Sequence, residues 1–342
     1  MLHLFALLLL LAVSGASAQS DDSWQQIPVD NAVCARGEPY SFFVHQGDPH
    51  KLMVYFQGGG ACWGDDTCKV GGTFDDSVAP NELDRYRGIF DFDNPQNPVA
   101  DYSMVVVAYC TGDVHTGSSE QDFTDDRAAF AIHFDGFANA QAALNWTFSH
   151  FEPPNQLIVT GSSAGAYGAI FNAPYVLAHY PNARAVVFGD AGIGVTAPDW
   201  DGLTTWGTLD NLFSGTGYDG VSSGTGFGNT LYQAAARAFP DARFAQYTSA
   251  ADAVQTGFYL LQGGEADWSA EMQARIAELD ELSNFNAYIG WGGTHTVLAT
   301  PLFYTMQVGG VSFRDWFADL IGGEDVANVA CDDCLTPELA GE

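Results

Sequence analysis

The chain has 342 residues, 47% of them hydrophobic, which is enough for one large core and too much for a disordered segment. Acidic residues number 42 against 11 basic ones, for a formal net charge of −31. That balance argues against nucleic acid or an anionic membrane as partner, and against a strongly anionic polymer as ligand unless the binding surface is locally neutral.

Residues 4–13 form an apolar run too short to span a bilayer. Ala16-Ser17-Ala18 follows in the A-x-A form of a signal-peptidase site. The expectation is a leader, residues 1–18, removed near Ala18, and a mature, exported, soluble catalytic domain over 19–342. No later apolar run is long enough to cross a membrane. Short apolar runs at 52–56, 103–109, 156–160 and 185–188, with a weaker one at 243–248, predict strands covered on both faces. Helical spacing predicts a helix over 136–150, with Phe137, Ala140, Ala143, Leu144 and Phe148 on one side, ended by Pro153-Pro154. A second follows at 164–173, interrupted by Pro174, and others over 231–239 and 269–282. This alternation predicts a doubly wound α/β fold: a mostly parallel sheet with helices on both faces. Residues 199–230 differ. They are rich in Gly, Ser and Thr, with Trp200, Trp206, Phe213, Tyr218 and Phe227 interspersed, and predict an aromatic insertion beside an active site.

The strongest chemical signal is Gly161-Ser162-Ser163-Ala164-Gly165, a G-x-S-x-G run with a strand before it and a helix after it. Such a turn is strained and admits only small flanking residues, and it lifts Ser163 Oγ above the sheet. The Ala164 N–H then points at a developing oxyanion. Gly58-Gly59-Gly60-Ala61-Cys62, after the first apolar strand, suits a second oxyanion donor, because glycines let backbone approach a carbonyl closely. It lacks the spacing and the lysine of a phosphate loop. His295, in Gly292-Gly293-Thr294-His295, lies late in the chain, as the order serine, acid, histidine requires. His115 and His133 precede the serine, and His45, His50, His150 and His179 sit among polar or turn residues and read as surface. Two acids fit the third place: Asp252, after the 243–248 strand, and Asp190, ending the 185–188 strand. The partner's task is to fix the histidine tautomer and stabilise the imidazolium.

Six cysteines, an even number, suit an exported chain with disulfides. Cys62 and Cys68 bracket a short loop, Cys331 and Cys334 a shorter one, and Cys34 and Cys110 remain. Cys331-x-x-Cys334 can also denote a redox dithiol or half a zinc site. Its two intervening aspartates disfavour a thiolate and no second such pair exists, so a structural bridge is expected. Asn145-Trp146-Thr147 is a glycosylation sequon on a predicted helix.

Taken in order, Val33-Cys34, Gly58 to Cys62 with Cys68, Ala108 to Val114 with Cys110, Gly161 to Gly165, Gly189-Asp190-Ala191-Gly192 and His295 resemble the pectin acetylesterase and Notum family of carboxylesterases over roughly residues 33 to 300. The resemblance implies an α/β-hydrolase fold and a secreted serine hydrolase without metal or organic cofactor. It implies Ser163 as nucleophile, Asp252 as acid, His295 as base, and Gly60, Ala61 and Ala164 as oxyanion donors. It also suggests the pairs Cys34–Cys110 and Cys62–Cys68. The substrate it implies is an acetyl ester on polysaccharide, with longer acyl esters second. Many relatives carry Trp directly after the glycines, whereas this chain has Ala61 there and Trp63 two positions on. Two rivals stand beside this expectation: a non-catalytic carbohydrate-binding protein on a hydrolase scaffold, suited by the 13% aromatic content, and a peptidase, since triads also cleave amides.

Overall fold

A computed structural model of the chain describes residues 24–125, 128–214, 218, 221 and 227–331. The expected leader and Cys334 lie outside the described residues. The strands are β1 (Gln25–Val33), β2 (Pro39–His45), β3 (Asp48–Phe56), β4 (Tyr102–Val107), β5 (Ser119–Thr124), β6 (Ala129–Phe134), β7 (Gln156–Ser162), β8 (Arg184–Asp190), β9 (Arg243–Ser249) and β10 (Phe285–Gly290). Eight form one sheet in the order β1-β2-β4-β3-β7-β8-β9-β10, and β5 and β6 pair as a separate hairpin. The first two sheet strands run antiparallel, and β4 through β10 are parallel.

The five predicted strands are all present. Their apolar runs are continuous because helices cover both faces, leaving no solvent side to be polar. Phe188 packs on Phe313, Trp316 and Phe317 of a C-terminal helix. Its neighbour Gly189 points the other way, where a Cβ would lie 2.3 Å from the Tyr232 hydroxyl of another helix. The longer helices are α1 (Gly136–His150), α2 (Ala164–His179), α3 (Phe227–Ala238), α4 (Ala253–Leu261), α5 (Trp268–Leu279) and α6 (Phe313–Gly322). None is long and apolar enough to cross a membrane among the described residues.

Two expectations need correction. Pro174 does not interrupt α2, which runs on to His179. The ring removes one backbone donor, but nearly every residue of 164–177 is buried against the sheet, and that packing outweighs a single lost bond. His45 is not at the surface. It is 3% exposed at the end of β2, stacked on Phe92 at 4.0 Å and beside Trp24. His50, His150 and His179 are exposed as expected.

Parallel register brings the ends of β3, β7, β8, β9 and β10 to one edge. Phe56 pairs with Gly161, Gly161 with Gly189, Ser162 with Asp190, Asp190 with Tyr247, and Ser249 with Gly290. The loops leaving this carboxyl edge carry every candidate residue, as in open α/β sheets generally.

Candidate active site

Ser163 stands between β7 and α2 with φ 58° and ψ −124°, a strained backbone for a residue with a side chain. The neighbouring glycines are fixed by close approach. A Cβ on Gly165 would lie 1.9 Å from the Phe56 carbonyl oxygen, and one on Gly161 2.2 Å from that of Gly165. A Cβ on Gly58 would lie 2.5 Å from the Ser162 oxygen, so the glycine loop after β3 runs directly against the turn.

Asp252 is fully buried at the start of α4. Its carboxylate accepts hydrogen bonds from the backbone N–H groups of Val254 and Gln255, both at 3.0 Å, and from Gln255 Nε2. The positive end of the helix thus faces the negative charge. His295 Nδ1 lies 2.8 Å from Asp252 Oδ2 and 3.0 Å from Oδ1. Three backbone bonds join the two loops: Ala250 N to Gly290 O, Ala251 N to Gly292 O and Ala253 N to Gly293 O. With Nδ1 donating to the carboxylate, Nε2 is left as the acceptor. That atom is buried and makes no hydrogen bond, and it belongs to a ring lining the same cavity as Ser163. The structure therefore joins Asp252 to His295 and puts Ser163 and His295 on one cavity wall, without a bond between hydroxyl and imidazole.

Asp190 has a different task from the one its rivalry with Asp252 suggests. It accepts from Ser162 Oγ at 2.6 Å and from the N–H groups of Val297 and Leu298 at about 3 Å. Its own carbonyl accepts from Ser163 N. Ser162 Oγ also accepts from the Tyr55 hydroxyl. Burial pushes the Asp190 carboxyl up to about 6, against the pull of these donors.

The glycine loop is anchored as well as close. Gly60 faces Phe74 across a single antiparallel bridge whose bonds come from its neighbours: Asp75 N to Gly59 O and Ala61 N to Thr73 O. The Gly60 amide is turned away from that bridge, whereas the Ala61 N–H is engaged at 3.2 Å. Of the three expected donors, Gly60 and Ala164 have the better placement, Ala164 because the first amides of a helix have no intrahelical acceptor. The Cys62–Cys68 and Cys34–Cys110 bridges are both formed. Cys331 is disulfide-bonded too.

Some supporting residues lie in stretches the sequence marked, but their roles did not show there. Tyr109, after β4, donates to the Gly60 carbonyl at 2.8 Å and accepts from Val114 N. Trp206 Nε1 donates to the Cys62 carbonyl at 2.7 Å, tying the 199–230 segment to the glycine loop. A buried phenol or indole usually takes a hydrogen-bond partner, but the sequence does not say which. His115, a rival base, is buried under α2 with Nε2 on the Gln57 carbonyl, and burial lowers its pKa to about 4. His133 is 32% exposed beside Glu120. Asn145 is exposed on α1, but Thr147 of its sequon is buried and bonded to Ala143 O.

The cavity at Ser163 holds about 810 Å³, counting its open mouth. Trp63, Tyr167, Trp200, Leu203, Trp206 and Phe227 are among the residues of its wall. Trp63 packs edge-on against Trp200 and near Phe258, so an indole reaches the wall although Ala61 follows the glycines. Among the described residues no group of three or more His, Cys, Asp or Glu is arranged to hold a metal ion.

Known proteins agree with this architecture. The family model described as Pectinacetylesterase matches residues 23–285. Pectin acetylesterase 5 of Arabidopsis thaliana is 27% identical over 182 residues, 49% of this chain and 40% of that protein, so the match spans well under half of the relative's length. Two solved structures of the Wnt deacylase Notum from Drosophila superpose with TM-scores of 0.66 and 0.64 at 16% identity. They cover 91% and 92% of this chain, and 97% and 99% of theirs. At that identity the likeness is one of fold: an α/β-hydrolase sheet flanked by helices.

Proposed function

This chain belongs to the pectinacetylesterase family, and from that premise we propose that it is an exported serine esterase that removes acetyl groups from polysaccharide. The observation that carries the proposal is the Asp252–His295 pair, whose buried, unbonded Nε2 lines one cavity with a serine in the strained turn. Long or absent hydroxyl–imidazole bonds are common before substrate binds and tighten in the complex.

The reaction proceeds in two balanced steps. As Ser163 Oγ forms a bond to the ester carbonyl carbon, its proton passes to His295 Nε2. Asp252 stabilises the imidazolium at Nδ1 without taking the proton. The carbonyl oxygen becomes an oxyanion held by the Gly60 and Ala164 amides, where loss of one donor in comparable sites costs about 3 kcal/mol. The carbon–alkoxy bond breaks, and the imidazolium proton leaves on the sugar hydroxyl. Water then gives a proton to His295 and its oxygen to the acyl carbon, the Ser163–acyl bond breaks, and that proton returns to Ser163 as the carboxylic acid departs.

The aromatic lining of the cavity favours a second acyl range within the same chemistry, esters longer than acetyl. Rates on p-nitrophenyl acetate, butyrate and octanoate rank the two. A fluorophosphonate probe should label the wild type and not Ser163→Ala, whose turnover should drop by at least about 10³-fold. Absent labelling with intact carbohydrate binding would favour a non-catalytic binder instead.

A further inference from the structure

Beside the aromatic cavity, on the open side of Ser163 and His295, lies a cleft of about 780 Å³ bordered by Tyr55, Tyr86, Phe258 and Thr300. An adjoining surface groove shares Gly59, Asp75, Val254 and Phe258 with it. If the acyl group enters the aromatic cavity, the alcohol half of the ester must lie along this open side. The cleft walls carry two formal charges besides the histidine, Asp75 and Arg85. Asp75 is the one charged residue of the adjoining groove.

Arg85 is already paired with two carboxylates. Its guanidinium pairs with Glu82 at 2.5 Å and reaches Asp75 at 3.8 Å, so the three side chains sum to one negative charge when ionised. The nearby cations are also engaged: Arg36, in the turn between β1 and β2, with Asp76 at 2.6 Å, and Lys69 with Asp66 at 3.0 Å. The rim offers instead the exposed apolar side chains of Val254 and Leu261 and the rings of Tyr86 and Phe258, surfaces on which uncharged sugar faces can rest. A polyuronate would bring one carboxylate per sugar to a groove whose lining, among the described residues, holds no cation, on a chain with a net charge of −31.

We infer, resting on the esterase reading above, that the polysaccharide this site deacylates carries no free carboxylates along the stretch it binds. The selection is electrostatic and sits on the open side of the reacting groups, where the groove meets the acyl cavity at Val254 and Phe258.

A matched pair of polymers tests this, acetylated galacturonan with its carboxyls methyl-esterified or free, assayed by acetate release. At low salt the neutral polymer should give a kcat/KM at least about tenfold higher, a modest gap for charge steering at a cleft. The gap should narrow toward 1 M salt, where the screening length falls to about 3 Å, and Asp75→Asn should narrow it at low salt. Equal or faster deacetylation of the free-acid polymer at low salt would overturn the inference. So would a protein that cleaves p-nitrophenyl acetate but releases acetate from neither polymer nor from acetylated mannan, which has no carboxyl groups, while leaving the esterase reading in place. No cleavage of any ester would remove the esterase reading and this inference with it.

Discussion

Asp190 and Asp252 end adjacent parallel strands, both fully buried, and from sequence each suits the partner of a late histidine. Only the bonding partners separate them. Asp252 faces His295 Nδ1, while Asp190 grips Ser162 Oγ on one side and the amides of Val297 and Leu298 on the other. Asp190 is a positioning residue in this arrangement, tying the turn that bears Ser163 to the loop that bears His295. Asp190→Asn keeps the volume but presents an amide N–H to one set of donors. Since misplacing reacting groups by about 1 Å can cost about 10²-fold, kcat should fall by about that factor with KM within about twofold. Steady-state kinetics on p-nitrophenyl acetate would read the split, and an unchanged kcat would deny the role. The G-x-S-x-G turn was legible because glycine there is demanded by contacts under 2.5 Å. The engagement of Ala61 N–H by Thr73 was not, because it depends on a bridge formed by a loop that carries no periodic pattern.

Among elements, those with a buried face on each side were the readable ones. β3, β4, β7 and β8 are near-continuous apolar runs, and α1 begins and ends where its pattern does. β2 is buried almost throughout yet opens on Pro39 and contains Ser41 and His45, so it lacks the β-branched run that marks a strand. β10 is six residues long and broken by Asn286, whose amide reaches the Val326 carbonyl of the C-terminal stretch. The aromatic segment after β8 was legible in composition, and its attachment was not. Trp206 bonds to Cys62 O, its own carbonyl accepts from Ser118 N, and Thr208 meets Thr116. Trp206→Phe keeps most of the ring but strands the Cys62 carbonyl, so stability should fall by about 1–3 kcal/mol. Turnover of p-nitrophenyl acetate should drop with it, because the glycine loop proposed to hold the oxyanion loses a tether. Thermal melts and kcat measured together would check this, and full stability with full turnover would show the tether to be idle.

For the molecule as a whole, acidity sets the response to pH. Burial pushes the carboxyls of Asp113 and Asp190 up to about 6, from an ordinary 3.8. Below about pH 4 both are protonated, folded or unfolded, and their contribution is fully present. Between about 4 and 6 the unfolded chain releases protons that the folded one keeps, so stability declines as pH rises through that window, by up to about 3 kcal/mol for each group. The surplus of negative charge, growing over the same range, acts in the same direction. Urea midpoints at pH 4.5 and 7.5 should therefore differ less in Asp190→Asn than in the wild type, and an equal difference would count against an elevated Asp190.

The grip of Asp190 on the histidine loop reads main-chain amides and no side chain. As far as that latch is concerned, the identities at 297 and 298 are constrained only by the apolar packing around them, and sequence drift there leaves the imidazole where it is. Proline is the exception, because it brings no N–H to the carboxylate. Two amides at the foot of a loop thus let the surrounding sequence wander while His295 stays in register.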